Sequence, residues 1–199
     1  GKLMYAEHIT RYQAALEFVK GKTVLDIASG SGYGTKILSS SAKKVFGVDV
    51  STEAITYAKK QYSGSNITYL LGDGQSIPLP DGSVDVVITY ETIEHSKDYR
   101  KFLDEVSRVL KKDGVAIVST PNDLEFAEGN HFHLHEFKES ELAGLLQKKF
   151  KYIDKYYQAT WKSVGIGTSK LFSEEGSIDA DLENMSHINP SDYLYFFFV

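Results

Sequence analysis

The sequence predicts an α/β domain, a doubly wound and mostly parallel sheet with helices on both faces. Three observations carry this. Short apolar segments alternate with amphipathic segments of helical length, the pattern of right-handed βαβ units. The apolar segments are nearly continuous, as strands covered on both faces are. Glycine turns and acidic residues recur where those strands end, which is where open α/β sheets hold ligands.

The elements follow in order. Ile9, Tyr12, Ala15, Leu16 and Val19 recur at helical spacing and predict a helix over 5–20 that Gly21 ends. Residues 23–28 form a short buried strand, followed by a Gly-rich turn and a helix over 33–41. Residues 44–49 are a second strand. Ser51 is placed as the N-cap of the next helix, with Glu53 in its first turn, where a carboxylate favours the helix dipole. A third strand covers 67–71, and Pro78, Pro80 and Asp81-Gly82 mark a loop. Residues 84–89 are a fourth strand, and 99–110 a helix with Phe102, Leu103, Val106, Val109 and Leu110 on one face. Asp113-Gly114 is read as a turn into a fifth strand, 115–119. A last helix covers 139–149, and 151–159 and 192–199 are two closing strands.

Composition bounds the function. With 42% hydrophobic and 25% charged residues, the 199-residue chain is too apolar for disorder and of a length for one domain. It has no cysteine, which removes disulfides, thiolate zinc sites and a cysteine nucleophile. A net charge of −5 argues against a partner made of phosphate backbone, so no nucleic acid is expected. No apolar run approaches the ~20 residues of a membrane span, and nothing resembles a secretory leader. A cytoplasmic location is the expectation. The apolar run 193–199 is an odd place for a terminus and reads as a domain trimmed from a longer chain. The stretch 160–191, with Trp161, Gly165, Gly167 and several acids, reads as a lid or acceptor-specificity insert.

The first candidate site is Val24-Leu25-Asp26-Ile27-Ala28-Ser29-Gly30-Ser31-Gly32-Tyr33-Gly34. Its glycines let backbone approach a ligand at a helix N-terminus, where free N–H groups point outward. A dinucleotide fingerprint would place its third glycine at 35; Thr35 stands there instead. Asp26 beside the turn does nothing for a pyrophosphate but suits a cation, and S-adenosylmethionine carries a sulfonium and an ammonium. Asp49, at the second strand end, can accept both hydroxyls of a ribose, and Asp73, at the third, can accept from an exocyclic amine.

These runs, with Gly47-Val48-Asp49-Val50-Ser51, Gly72-Asp73-Gly74, the segment 84–95 and Leu110-Lys111-Lys112-Asp113-Gly114, closely resemble the class I S-adenosylmethionine-dependent methyltransferases over residues 5–157. The resemblance implies a Rossmann-like fold of seven strands with an antiparallel last strand, supplied by 192–199. It implies that Gly30 and Gly32 line the methionine portion, Asp49 the ribose, and Asp73 and Gly74 the adenine, with Ser29, Val50 and Gln75 beside them. Tyr90 would face the donor methyl. The segment 7–15 and the run His131 to Leu142 are similar to methyltransferases of surface-polysaccharide synthesis and to quinone-type O-methyltransferases. By that likeness Arg11 and Tyr12 close over the methionine carboxylate, and a fused or partner glycan-synthesis module is expected.

The acceptor is less legible. No Asp/Asn-Pro-Pro-aromatic tetrad follows the fourth strand, which disfavours the amino-methylating enzymes that carry it. Glu94-His95 lies where an acceptor should sit. His131, His133 and His135 share one face if extended, and His131 and His135 share one if helical, with Glu94 or Glu136 as a partner. His135, His95, Glu94 and His131 are therefore the expected catalytic groups, and a divalent metal is a further option. The expected function is O-methylation of a saccharide or related small molecule, at a hydroxyl or phosphate oxygen. A quinone or other small-molecule O- or N-methyltransferase, a nicotinamide enzyme and a non-catalytic cofactor-binding module stay open.

Overall fold

The computed structural model describes residues 2–122, 133–158 and 195–199. Strands β1 (Thr23–Ile27), β2 (Lys44–Asp49), β3 (Ile67–Leu71), β4 (Val84–Tyr90) and β5 (Leu110–Pro121) pair in parallel. Two more, β6 (Lys155–Gln158) and β7 (Tyr195–Phe198), extend the sheet in the order β3-β2-β1-β4-β5-β7-β6, with β7 antiparallel to both neighbours. The chain winds outward from β1 to β3 and then returns to place β4 on the other side of β1. The switch point is therefore between β1 and β4, and a crevice opens above their carboxyl ends.

Helices α1 (Lys2–Ala14), α2 (Leu16–Val19), α3 (Tyr33–Leu38), α4 (Thr52–Gln61), α5 (Tyr99–Val109) and α6 (Glu139–Leu146) cover the sheet. Strand alternation assigns the layers. Val24, Val86 and Ile88 pack with Tyr12, Val19 and Leu38 on one face. Leu25, Ile27 and Val87 pack with Phe102, Val106, Leu142 and Leu146 on the other. On α5, Phe102, Leu103, Val106 and Val109 are all buried, which at ~1.5–3 kcal/mol per side chain makes this helix a main anchor of the second layer. Ser51 caps α4 by accepting the Ala54 N–H at 3.1 Å, as its position predicts.

The single helix expected over 5–20 is two pieces, broken at Ala15, although Tyr12, Ala15 and Val19 still form the buried face. The expected Asp113-Gly114 turn is a bulge inside β5 instead. Val84 pairs with Leu110 and Val86 with Val115, so one residue of β4 faces four of β5. A side chain at Gly114 would lie 3.0 Å from the Lys111 carbonyl and 3.1 Å from that of Asp85, so the crowding of the bulge, rather than a reversal of the chain, calls for glycine there. Residues 160–191 and His131 lie outside the described residues. No described helix is long and apolar enough to cross a membrane.

Candidate active site

A cleft of about 360 Å³ opens at the switch point, lined among others by Ile27, Val48, Asp49, Asp73, Gln75 and Phe102. A larger cavity of about 690 Å³ lies at the opposite end of the sheet, around Phe18, Gly114 and Ile153. The smaller one is the candidate site, because the strand-end carboxylates converge there.

The wall at β2 is built by backbone. Asp49 Oδ2 accepts the Gly30 N–H at 2.8 Å and Oδ1 the Ser51 N–H at 2.9 Å. Both oxygens are thereby fixed in orientation, and each keeps a lone pair for a ligand. Asp73 Oδ1 accepts the Gln75 N–H at 2.9 Å, which folds the β3 end into a tight turn. A Cβ on Gly74 would come within 2.5 Å of the Phe102 ring, so only glycine lets this backbone pack against the ring. Gly30 and Gly32 have φ of +52° and +89°, the left-handed turn that brings the Gly30 N–H onto Asp49. Val50 and Gln75 also line the cleft, while Ser29 is buried behind the turn.

Asp26 occupies a different place. It alternates with Leu25 and Ile27 along β1 and so points into the α1/α3 layer, fully buried. Its carboxylate accepts from Thr35 Oγ1 at 2.6 Å and from the Tyr12 hydroxyl at 3.1 Å. Thr35, at the position where a dinucleotide fingerprint has glycine, is thus a ligand of Asp26. Gly34 is bare because the Tyr12 ring packs onto it, a Cβ there lying 2.0 Å from that ring. Asp26 acts beneath the turn, tying α1 and α3 to β1, and is not among the residues that line the cleft.

Burial pushes the Asp26 carboxyl up to about 7, against the opposing pull of its two hydrogen bonds and with a smaller push from Asp49. A buried acid whose folded pKa lies above its unfolded value stabilises while protonated. That contribution is complete below about 4 and is lost as pH rises through about 7. Replacing Asp26 by Asn removes this loss. The stability of Asp26→Asn relative to wild type is therefore expected to rise between pH 5 and about 6.5 by roughly 1.4 kcal/mol per pH unit and to level off above pH 7. Urea titrations at several pH values check this, and parallel pH profiles of the two proteins would contradict it.

Arg11, Tyr12 and Tyr90 are interior as well. Arg11 is 2% exposed and pairs with Glu91, Nη1 to Oε1 at 2.9 Å. Glu91 also accepts from Ser119 Oγ at 2.9 Å and lines the cleft with φ of +50°. Burial raises its carboxyl, and Arg11 opposes the rise. The Tyr90 hydroxyl donates to the Arg11 carbonyl at 3.2 Å, and its ring stacks edge-on against Tyr12 at 5.1 Å. Arg11 therefore neutralises a cleft carboxylate, and Tyr90 braces α1. Both were expected at the cofactor, and neither is among the residues that line the cleft.

The other end of the cleft is formed after β4. Ile93, fully buried, anchors a single 3-10 turn, Ile93–His95. Glu94 on this turn is 1% exposed; Thr120 Oγ1 donates to its Oε2 at 3.2 Å, and among the described residues its Oε1 has no hydrogen-bond partner. Burial, and then the charge of Glu91, raises the Glu94 carboxyl. The Glu94 carbonyl accepts from the Leu134 and His135 N–H groups at 2.8 and 3.2 Å, docking the 133–138 segment onto the turn. Phe137, fully buried, holds that segment from its other side. His95 and His133 then meet with ring centroids 5.0 Å apart. Burial lowers the His133 pKa, His95 adds to the fall and Glu136 opposes it. Glu94, His95 and His133 thus come together, with His95 on the cleft wall. His135 turns away, its Nε2 at 2.9 Å from Glu141 and its ring against Tyr99 and Phe137.

Three contributors went unread in the sequence: Glu91, Thr35 and Lys97, the last on the cleft wall. Glu91 directly follows the β4 end, one residue beyond the place that Asp49 holds in β2. Thr35 was visible as a departure from a glycine pattern.

Residues 25–118 match the family model described as a methyltransferase domain. A probable S-adenosylmethionine-dependent methyltransferase of Mycolicibacterium smegmatis is 35% identical over 148 residues, 72% of this chain and 57% of that protein. The chain carries a class I S-adenosylmethionine-dependent methyltransferase domain. A second such relative, from Mycobacterium tuberculosis, is 33% identical over 71% of this chain and 53% of its own. The chain thus spans little more than half the length of these relatives. Among solved structures, a SAM-dependent methyltransferase from Aquifex aeolicus superposes with a TM-score of 0.64 at 20% identity, over 94% of this chain and 87% of that one. A putative methyltransferase of Haloferax volcanii, in complex with an activator protein, gives 0.68 at 22%, over 88% and 83%. At these identities the likeness shows the fold, which agrees with the sheet order above.

The methyltransferase cofactor fits the residues present. Asp49 and Asp73 offer oriented acceptors suited to hydroxyl and amino hydrogens, and Ile27, Val48 and Phe102 offer apolar surface to a flat ring.

Proposed function

We propose that this domain methylates a hydroxyl oxygen of a small polar acceptor, a saccharide or a molecule like one. Bound in the cleft, S-adenosylmethionine supplies a methyl group on a positively charged sulfur, already activated for displacement. Asp49 holds the ribose hydroxyls and Asp73 receives the adenine amine. Glu91, kept in place by Arg11 and Ser119, borders the cofactor at the cleft wall. The Gly30 turn admits the methionine portion without a side chain in the way.

An acceptor hydroxyl must lose a proton as it gains the methyl, and the group at Glu94, His95 and His133 is where that proton is handled. This juxtaposition of proton-accepting side chains with the cofactor cleft carries the reading. The cleft wall beyond it is polar, with His95, Ser96 and Lys97, which suits an acceptor rich in hydroxyls. Relatives named fatty-acid O-methyltransferase (Mycolicibacterium smegmatis) and malonyl-[acyl-carrier protein] O-methyltransferase (Yersinia pestis) support oxygen as the receiving atom. The Lys97 cation favours a second reading, an acceptor that presents a carboxylate or phosphate oxygen.

The test is transfer of labelled methyl to nucleotide sugars, glycan extracts and free fatty acids. Label in a saccharide, lost in His95→Ala, is expected. Label confined to an acid supports the second reading, and cofactor binding without labelled product from any acceptor would mark a binding module.

A further inference from the structure

We propose that Glu94, His95 and His133 bind a divalent transition-metal cation on the wall of the cleft where the acceptor enters. The inference rests on reading that wall as the acceptor end, and it says how the acceptor's oxygen is held there.

Each of the three residues offers one ligand atom, and these atoms lie within 4.8 Å of one another. Bonds of about 2.1 Å to nitrogen and oxygen place two ligand atoms at most about 4.2 Å apart. The ligand atoms would have to draw together by about 0.6 Å on binding, within the reach of small side-chain adjustments. Two imidazoles and one carboxylate form the donor set of zinc, iron, cobalt or nickel rather than of magnesium or calcium, which prefer oxygens.

A second observation points to a ligand independently of that convergence. Among the described residues Glu94 Oε1 is buried without a hydrogen-bond partner, although the residue is 1% exposed and its other oxygen is held by Thr120. A buried carboxylate oxygen left unpaired is costly, and a cation is a partner that repays it. The surroundings are also built to keep the set together. The Glu94 carbonyl takes the Leu134 and His135 N–H groups, which ties the segment bearing His133 to the turn bearing the other two ligands. Glu136 Oε1 stands 3.6 Å from His133 Nδ1, the place of the outer carboxylate that orients a metal-bound imidazole through its other nitrogen. His135 belongs to a different pair, with Glu141.

Three protein ligands leave coordination positions for oxygen. Because His95 lines the cleft, those positions suit vicinal hydroxyls or a carboxylate of the acceptor; a cation there would acidify a bound hydroxyl, whose proton then passes to solvent water, so the three side chains handle that proton through the cation and not as free bases.

The test uses metal alone. The purified chain, stripped with chelator, is titrated with Co²⁺ followed by visible absorption, and with Zn²⁺ followed by calorimetry. One equivalent is expected at micromolar affinity or tighter. His95→Ala, an exposed position that leaves the core intact, and His133→Ala should each weaken binding at least 100-fold, and His135→Ala should leave it unchanged. No saturable binding by the wild type, or binding that survives in the His95→Ala/His133→Ala double variant, would overturn the proposal. Binding of S-adenosylhomocysteine, measured on the same samples, reports separately on the cofactor cleft, so failure of the metal site is distinguishable from failure of the methyltransferase reading.

Discussion

Arg11→Met is expected to cost about 3–5 kcal/mol of stability, the cost of breaking a buried ion pair by removing one partner. The reason is Glu91. Arg11 is 2% exposed and Nη1 sits 2.9 Å from Glu91 Oε1. With Met at position 11 Glu91 keeps the Ser119 hydroxyl but loses its counter-charge, so it must either hold an unpaired charge at the cleft wall or take up a proton. The volume of the side chain is nearly kept, so little of the loss comes from packing. The double variant Arg11→Met/Glu91→Gln separates charge from shape, because it removes both ions and is expected to recover most of the loss. Chemical denaturation of the three proteins gives the cycle. A double variant no more stable than Arg11→Met would mean that the pair is not what holds α1 to the end of β4.

Asp49→Ala should weaken binding of S-adenosylhomocysteine about 100-fold, close to 2.7 kcal/mol, with the fold intact. Two losses add. On the proposed reading the acceptors for the ribose hydroxyls go, and so does the anchor for the Gly30 and Ser51 N–H groups, held at 2.8 and 2.9 Å in the wild type. Asp49→Asn keeps the shape and one acceptor oxygen, and its affinity should fall between the two. Calorimetry checks the series. An Asp49→Ala affinity within twofold of wild type would remove Asp49 from the cofactor.

The sheet was legible because strands buried on both faces leave long apolar runs, and 44–49 and 67–71 stand where they were expected. The Asp113-Gly114 bulge was not, since a glycine required by crowding inside a strand looks the same in sequence as one required by a turn. For Asp49 and Asp73 the position at a strand end was enough to expect them on the cleft wall, because the end of a parallel strand fixes where its residue emerges. For Asp26 the decisive fact was parity along β1. Leu25 and Ile27 face one layer, so Asp26 faces the other, beneath α1, and meets Tyr12 and Thr35 there.

The order of strand-end motifs along the chain, then, was sufficient to determine the fold and the kind of cofactor. Which histidine meets Glu94 was decided only by tertiary structure. His133 and His135 share a face in any extended segment, and local sequence treats them alike. The two N–H groups of 134 and 135 that bind the Glu94 carbonyl set the docking of that segment, and the docking brings His133 to the cluster and sends His135 to Glu141. Contacts between residues some forty positions apart depend on how the two segments meet, and no spacing within either segment encodes that.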